Sequence, residues 1–182
     1  MIGPARRIRW RGIGEYRDEA EPLLEQPGDV AGVFRARPRS LLMACPDGCG
    51  DTLVINLDDR AGKAWLLDKR HGKLSLYPSV WREDGCRSHF ILWSDHLIWI
   101  GRFEAGNEEP AYDAALEQRV LALLDRERFQ DGFEMACQLN EISWDVIRAL
   151  RRLIAKGCAV EGTGHQRGNF RRSADGKPVA SS

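Results

Sequence analysis

The sequence predicts an α+β fold in two parts, a small antiparallel β-rich domain followed by a helical domain that closes in a hairpin. Two observations predict it. Between Val30 and Phe103 the apolar residues come in short, β-branched or aromatic runs separated by Gly, Asp and Ser. After a polar stretch rich in Gly, Asn and Pro, the apolar spacing changes to that of helices.

The strands follow in order. Residues 32–37 and 40–44 lead into Cys45, and residues 52–57 lead away from Cys49. Residues 63–67 and 73–77 flank Arg70-His71-Gly72, and residues 89–93 and 96–101 flank Ser94-Asp95. Both interruptions read as tight hairpin turns, because Gly and Asp tolerate positive φ. Residues 1–105 form this domain, and 106–113 read as a linker. Residues 114–126 and 131–139 read as helices. A third helix runs from Ser143, a candidate cap, to Gly157, which supplies the left-handed residue that ends it. Residues 158–161 and 169–172 can pair across a glycine-containing tip. Three helices and a hairpin describe a winged helix over 114–172, followed by a small, polar, disordered tail over 173–182.

Composition bounds the function. The 182 residues hold 27 Lys and Arg against 27 Asp and Glu, so no bulk charge draws the chain to nucleic acid or membrane. No apolar run reaches the roughly 18–20 residues of a membrane span, and the basic start lacks the apolar stretch of a secretory signal. The expected compartment is the cytoplasm, where thiols stay reduced. Five cysteines are an odd number for a disulfide framework.

Clustered cysteines in a reducing compartment point to a metal. Cys45-Pro46-Asp47-Gly48-Cys49-Gly50 and Cys86-Arg87-Ser88-His89 each offer two ligands beside a strand. Cys45, Cys49, Cys86 and His89 would make a closed Cys3His shell around one structural zinc ion. An iron–sulfur cluster is the alternative for the same set. Asp47 is set aside as a ligand, a hard carboxylate among thiolates.

Three stretches in this order, Cys45-Pro-Asp-Gly-Cys-Gly, Leu74-Ser-Leu-Tyr-Pro-Ser-Val and Cys86-Arg-Ser-His-Phe-Ile, carry a resemblance over residues 27–101. Here the chain resembles a bacterial zinc-knuckle family with CPCGCG, SLxPSI and CRSHYWI motifs, except that Asp47 replaces the middle cysteine of the first. The resemblance implies a place beside ubiquitin-like modifiers and their activating and conjugating enzymes, and a peptidase that processes the modifier. A closed metal shell leaves no position for an activated water, so such a peptidase would need a serine or cysteine nucleophile. Ser79 and Ser88 are candidates, with His71 and His96 as candidate bases.

The last third is locally basic. Between Trp144 and Arg172 there are seven basic residues against two acidic ones. Arg148, Arg151, Arg152 and Arg171 therefore form a candidate DNA-binding set, on a third helix that would enter the major groove. Trp144, Ile147 and Ile154 fall off the helix's core stripe and read instead as a protein-docking patch. Two functions follow: a zinc-binding accessory component of a ubiquitin-like conjugation pathway, or a DNA-binding winged-helix regulator with a structural zinc domain.

Overall fold

The computed structural model describes residues 3–174 and divides them into two compact units, with the boundary between Pro110 and Ala111. Together they are a mixed α+β protein with several small sheets and, among the described residues, four α-helices. The tail expected over 173–182 lies, from Asp175 on, outside the described residues. None of the helices is long and apolar enough to cross a membrane.

The first unit begins with β1 (Arg9–Gly14), a short α1 (Arg17–Ala20), β2 (Asp29–Arg35), β3 (Arg37–Ala44) and β4 (Thr52–Asn56). These strands form one sheet in the order β1-β2-β3-β4. The first pair is parallel and the others antiparallel. Val30, Leu41, Met43, Leu53 and Ile55 line one face of it and belong to the main core. Ala31, Val33 and Leu42 line the other and bury Ala20 of α1. Strand β1 has no counterpart in the strands read from the sequence. Its burial is exposed at most positions, so it lacks the apolar alternation that marks the others.

Two smaller sheets complete the unit. One is the hairpin of β5 (Leu66–Arg70) and β6 (Lys73–Tyr77). The other contains β7 (Val80–Trp81), β8 (His89–Trp93) and β9 (His96–Trp99). His71 and Gly72 have φ of 51° and 73°, and Ser94 and Asp95 have φ of 48° and 66°, the left-handed pairs that a two-residue hairpin needs. Leu74, Leu76, Phe90, Leu92 and Trp99 add to the same core as the larger sheet.

The second unit contains α2 (Ala114–Leu123), β10 (Gln130–Asp131), α3 (Gly132–Leu139), α4 (Ser143–Ala155), β11 (Ala159–Glu161) and β12 (Asn169–Arg172), with sheet order β10-β12-β11. Asp113 and Asp131 cap α2 and α3, accepting hydrogen bonds from the first free backbone amides. Helix α4 starts one residue earlier than its capping residue was placed: Ile142 is its N-cap, and Ser143 is buried inside the first turn. Gly157, at φ 73°, ends the helix as the sequence indicated.

Candidate functional site

The first cysteine pair sits on a tight loop between β3 and β4. Cys45 N–H donates to Asp51 O at 2.8 Å, and Gly48 and Gly50 have φ of 88° and 92°, which lets the backbone curl around the space between the sulfurs. The third cysteine sits on the loop joining β7 to β8. One ligand atom each from Cys45, Asp47, Cys49 and Cys86 lies within 4.8 Å of the other three. This donor set can hold a metal ion and is compatible with zinc.

The distances test that fit. Four ligands at Zn–S about 2.3 Å and Zn–O about 2.0–2.2 Å, at tetrahedral angles, stand about 3.8 Å apart for S···S and about 3.5–3.7 Å for S···O. Cys45 Sγ is 3.6 Å from Cys86 Sγ and 3.4 Å from Asp47 Oδ1. In an iron–sulfur cluster the four donors are divided among two or four irons, and those on different irons stand farther apart than donors on one ion. Donor atoms within 4.8 Å of one another are compatible with a single ion.

Charge agrees. Three thiolates and a carboxylate around a dication keep two negative charges in excess. Arg82 Nη1 lies 3.4, 3.5 and 3.9 Å from the sulfurs of Cys86, Cys49 and Cys45, and donates to Asp51 Oδ2 at 2.9 Å. Arg102 donates to Cys86 O at 2.5 Å and stands 3.6 Å from Asp47 Oδ2. Arg82, shared with Asp51, and Arg102 would offset part of that excess. Without an ion, burial pushes the Cys45 thiol up to about 12 and also raises Cys49. Cys86 moves down: burial opposes this, but hydrogen bonds from the Ser88 hydroxyl and backbone outweigh it. Asp47 is lowered in the same way, with burial outweighed by the Cys49 amide and the three thiols.

The sequence reading placed His89 in this shell, and the structure puts it elsewhere. Its Nε2 is 3.1 Å from Ser79 Oγ. The reason is strand alternation. Ser88, fully buried, points its hydroxyl at Cys86 Sγ (3.2 Å) and Cys45 Sγ (3.6 Å). The next residue of an extended chain points to the opposite face. Strand β7 repeats the pattern across the ladder. Arg82 turns to the sulfurs, and its amide donates to Ser88 O at 2.9 Å. Trp81, paired in register with His89, turns the other way and sets its ring 5.9 Å from the imidazole at 34°. Ser79 shares that face with Trp81. It is diagonal to His89 across the strand pair, within side-chain reach.

The other candidates separate by burial. Ser88 is enclosed between thiols and has no opening to a substrate, whereas Ser79 and His89 are both half-buried. His71 is exposed in its turn. His96 is buried, with Nδ1 2.8 Å from Ser94 O. The pair was hidden because His89 had been assigned to the metal and Ser79 was left without a base. The alternation of Ser88 and His89 at the entry to β8 was the available signal.

In the second unit the candidate DNA-binding residues are largely engaged within the unit. Arg148 is buried and bonds Ala111 O (3.0 Å) and Asp145 (3.2 Å). Arg152 lies over the Tyr112 ring at 3.8 Å. Arg171 donates to Arg126 O and lies 5.2 Å from the Phe129 ring. Lys156 pairs with the buried Glu117, which also accepts from Tyr112. Arg151 is exposed. The expected exposed patch of Trp144, Ile147 and Ile154 is corrected: Trp144 and Ile147 are buried and Ile154 is half-buried. Ile147 packs on Gly132, where an added Cβ would stand 2.6 Å from Ile147 Cδ1.

No curated protein and no solved structure matches the chain. Residues 16–100, just under half of it, match the model of a family described as bacterial ubiquitination-like system serine protease (BubE). The match contains the whole Cys45–Asp47–Cys49–Cys86 cluster together with Ser79 and His89. Over the part that carries both, the chain is similar to serine proteases of bacterial ubiquitination-like systems.

Proposed function

We propose that the protein is a serine peptidase of a bacterial ubiquitin-like conjugation pathway, acting on the modifier, with Ser79 as nucleophile and His89 as its base. The observation that carries this reading is the 3.1 Å approach of Ser79 Oγ to His89 Nε2 on an accessible strand face. With the imidazole proton on Nδ1, Nε2 accepts the Ser79 hydroxyl proton as Oγ attacks the scissile carbonyl. The same proton then passes from Nε2 to the leaving amine, and water resolves the acyl-enzyme by the reverse sequence. Among the described residues no carboxylate bonds His89, so the reading is of a pair and not a triad.

The metal has a structural part. Cys45, Asp47, Cys49 and Cys86 would hold one zinc ion, which would tie the β3–β4 loop to the β7–β8 loop. Locking Ser88 in this way aims His89 at Ser79 from the next position. The second unit supports a winged helix, since its helices and its β10-β12-β11 sheet follow the order of that fold. We assign it to docking a partner of the pathway, in keeping with the family matched by the first unit; of the arginines on α4, Arg148 is buried and bonded to Ala111 O, while Arg151 and Arg152 stay exposed.

The test is a modifier fused to a C-terminal extension, incubated with the purified protein and followed by mass. Ser79→Ala and His89→Ala should each lower cleavage by about 10³-fold or more, and a fluorophosphonate should label Ser79 alone. Cleavage that survives Ser79→Ala would overturn the assignment.

A further inference from the structure

Trp81 is among the most exposed large apolar side chains, 61% accessible, and it stands on the same ribbon face as Ser79 and His89. Its backbone is not free to swing. Strand β7 is paired with β8, its inward neighbour Val80 is in the core, and Arg82 is anchored on Asp51 and the cysteine cluster. An indole held this rigidly but left open to water is a poor packing element. It is well placed as a contact surface, since aromatic rings offer large area with little conformational freedom to lose.

The rest of the face has the same character. Register places Ile91 opposite Ile98 and on the side of His89, and both are half-buried. Along β7, β8 and β9 this face carries no Asp, Glu, Lys or Arg. A peptide carbonyl reaching Ser79 Oγ must therefore lie across an uncharged surface bounded by Trp81 on one side and the isoleucines on the other. A charged residue beside the scissile bond would lose water there without gaining a partner.

We infer that Trp81 is the substrate-binding platform of this site, receiving an extended, uncharged peptide tail whose residues at the scissile bond lie flat on the indole. The inference rests on the peptidase reading for its meaning, but the second arm of its test does not depend on turnover. Covering the open part of the ring corresponds to about a 10- to 100-fold effect on binding.

Two arms decide it. In the first, Trp81→Ala should raise KM for the modifier fusion about 10- to 100-fold while changing kcat by less than about threefold, and Trp81→Phe should restore most of the loss. Fluorophosphonate labelling of Ser79 should persist in both. In the second, a short peptide of Gly, Ala and Leu is titrated into Ser79→Ala protein and into the Ser79→Ala, Trp81→Ala double variant. Binding should weaken in the double variant, and replacing the central residues by Asp or Lys should weaken it in the parent. Equal binding by the two proteins would overturn the platform, even if Ser79 proves to be the nucleophile. Loss of Ser79 labelling in Trp81→Ala would also overturn it, assigning the ring to holding His89 instead. Hydrolysis that persists in Ser79→Ala would overturn Ser79 as the nucleophile and leave the binding arm to judge Trp81 by itself.

Discussion

Replacing Asp47 and His89 in turn decides which residue completes the metal shell. The structure puts Asp47 Oδ1 3.4 Å from Cys45 Sγ, an edge of the tetrahedron, and buries the carboxylate to 5% exposure beside Arg102. Loss of an outer-shell partner lowers metal affinity by about 10–100-fold, so removing a bound carboxylate should cost about 100-fold or more. That is about 2.7 kcal/mol, taken at 1.36 kcal/mol per tenfold. Asp47→Asn is the finer probe, because it keeps an oxygen for the Cys49 amide, which now donates to Oδ1 at 2.8 Å, and removes only the charge. Zinc affinity is measured by competition with a chromophoric chelator, and zinc content by elemental analysis. Asp47→Ala should lose the metal first, Asp47→Asn should fall between it and the parent, and His89→Ala should keep its metal while losing cleavage. The reverse order, with His89→Ala metal-free and Asp47→Ala fully loaded, would refute the geometry and restore the Cys3His shell.

Three further outcomes follow from the same contacts. Ser88→Ala removes a hydroxyl 3.2 Å from Cys86 Sγ and should weaken zinc by about tenfold in the chelator competition, while fluorophosphonate labelling at Ser79 continues. Burial and the bond to Glu117 push the Tyr112 hydroxyl up to about 12, above the roughly 10 of an unfolded chain. Between those values the folded state holds a proton that the unfolded state has released, so stability should fall as pH rises from about 10 to about 12; thermal unfolding of Tyr112→Phe should lack that alkaline loss. Gly132→Ala sets a methyl 2.6 Å from Ile147 Cδ1 and 3.1 Å from Phe170 Cε2. The crowding should outweigh the gain in helix propensity and destabilise the second unit by about 1–3 kcal/mol, read as a lower melting temperature.

The elements that could be read in the sequence were those whose pattern is local. Hairpins at His71-Gly72 and Ser94-Asp95, and the stop of α4 at Gly157, are properties of a few adjacent residues, and each appears in the structure at the expected place. Strand β1 and the two-residue β10 were not legible. The first is set by its parallel pairing with β2 and the second by β12, contacts made far away in sequence. The same limit explains α4. Helical spacing separated Val146, Leu150 and Leu153 as core from Trp144 and Ile147 as surface. It could not show that Gly132 of another helix leaves room for Ile147. Counting charges likewise gave a basic segment, but not that Arg148, Arg152 and Lys156 would converge on Asp145, Tyr112 and Glu117.

The site turns on a single alternation. Read as a knuckle, Cys86-Arg87-Ser88-His89 offers two ligands three residues apart, the spacing of a zinc-binding pair. Read as the entry to β8, it offers Ser88 to one face and His89 to the other, and the ladder to β7 does the same with Arg82 and Trp81. A closed metal shell had seemed to argue against hydrolysis, since it leaves no position for an activated water. The two faces remove that conflict. With Asp47 as its fourth donor the shell would close on the inner side of the ribbon. His89, the proposed base, stands on the outer side, one residue from Ser88, with Nε2 3.1 Å from Ser79 Oγ. A peptidase built this way needs its metal to hold the strand and not to perform the chemistry. Chelation should therefore slow cleavage only as far as it loosens the β7–β8 ribbon, and added zinc should restore the rate without altering which residue the fluorophosphonate labels.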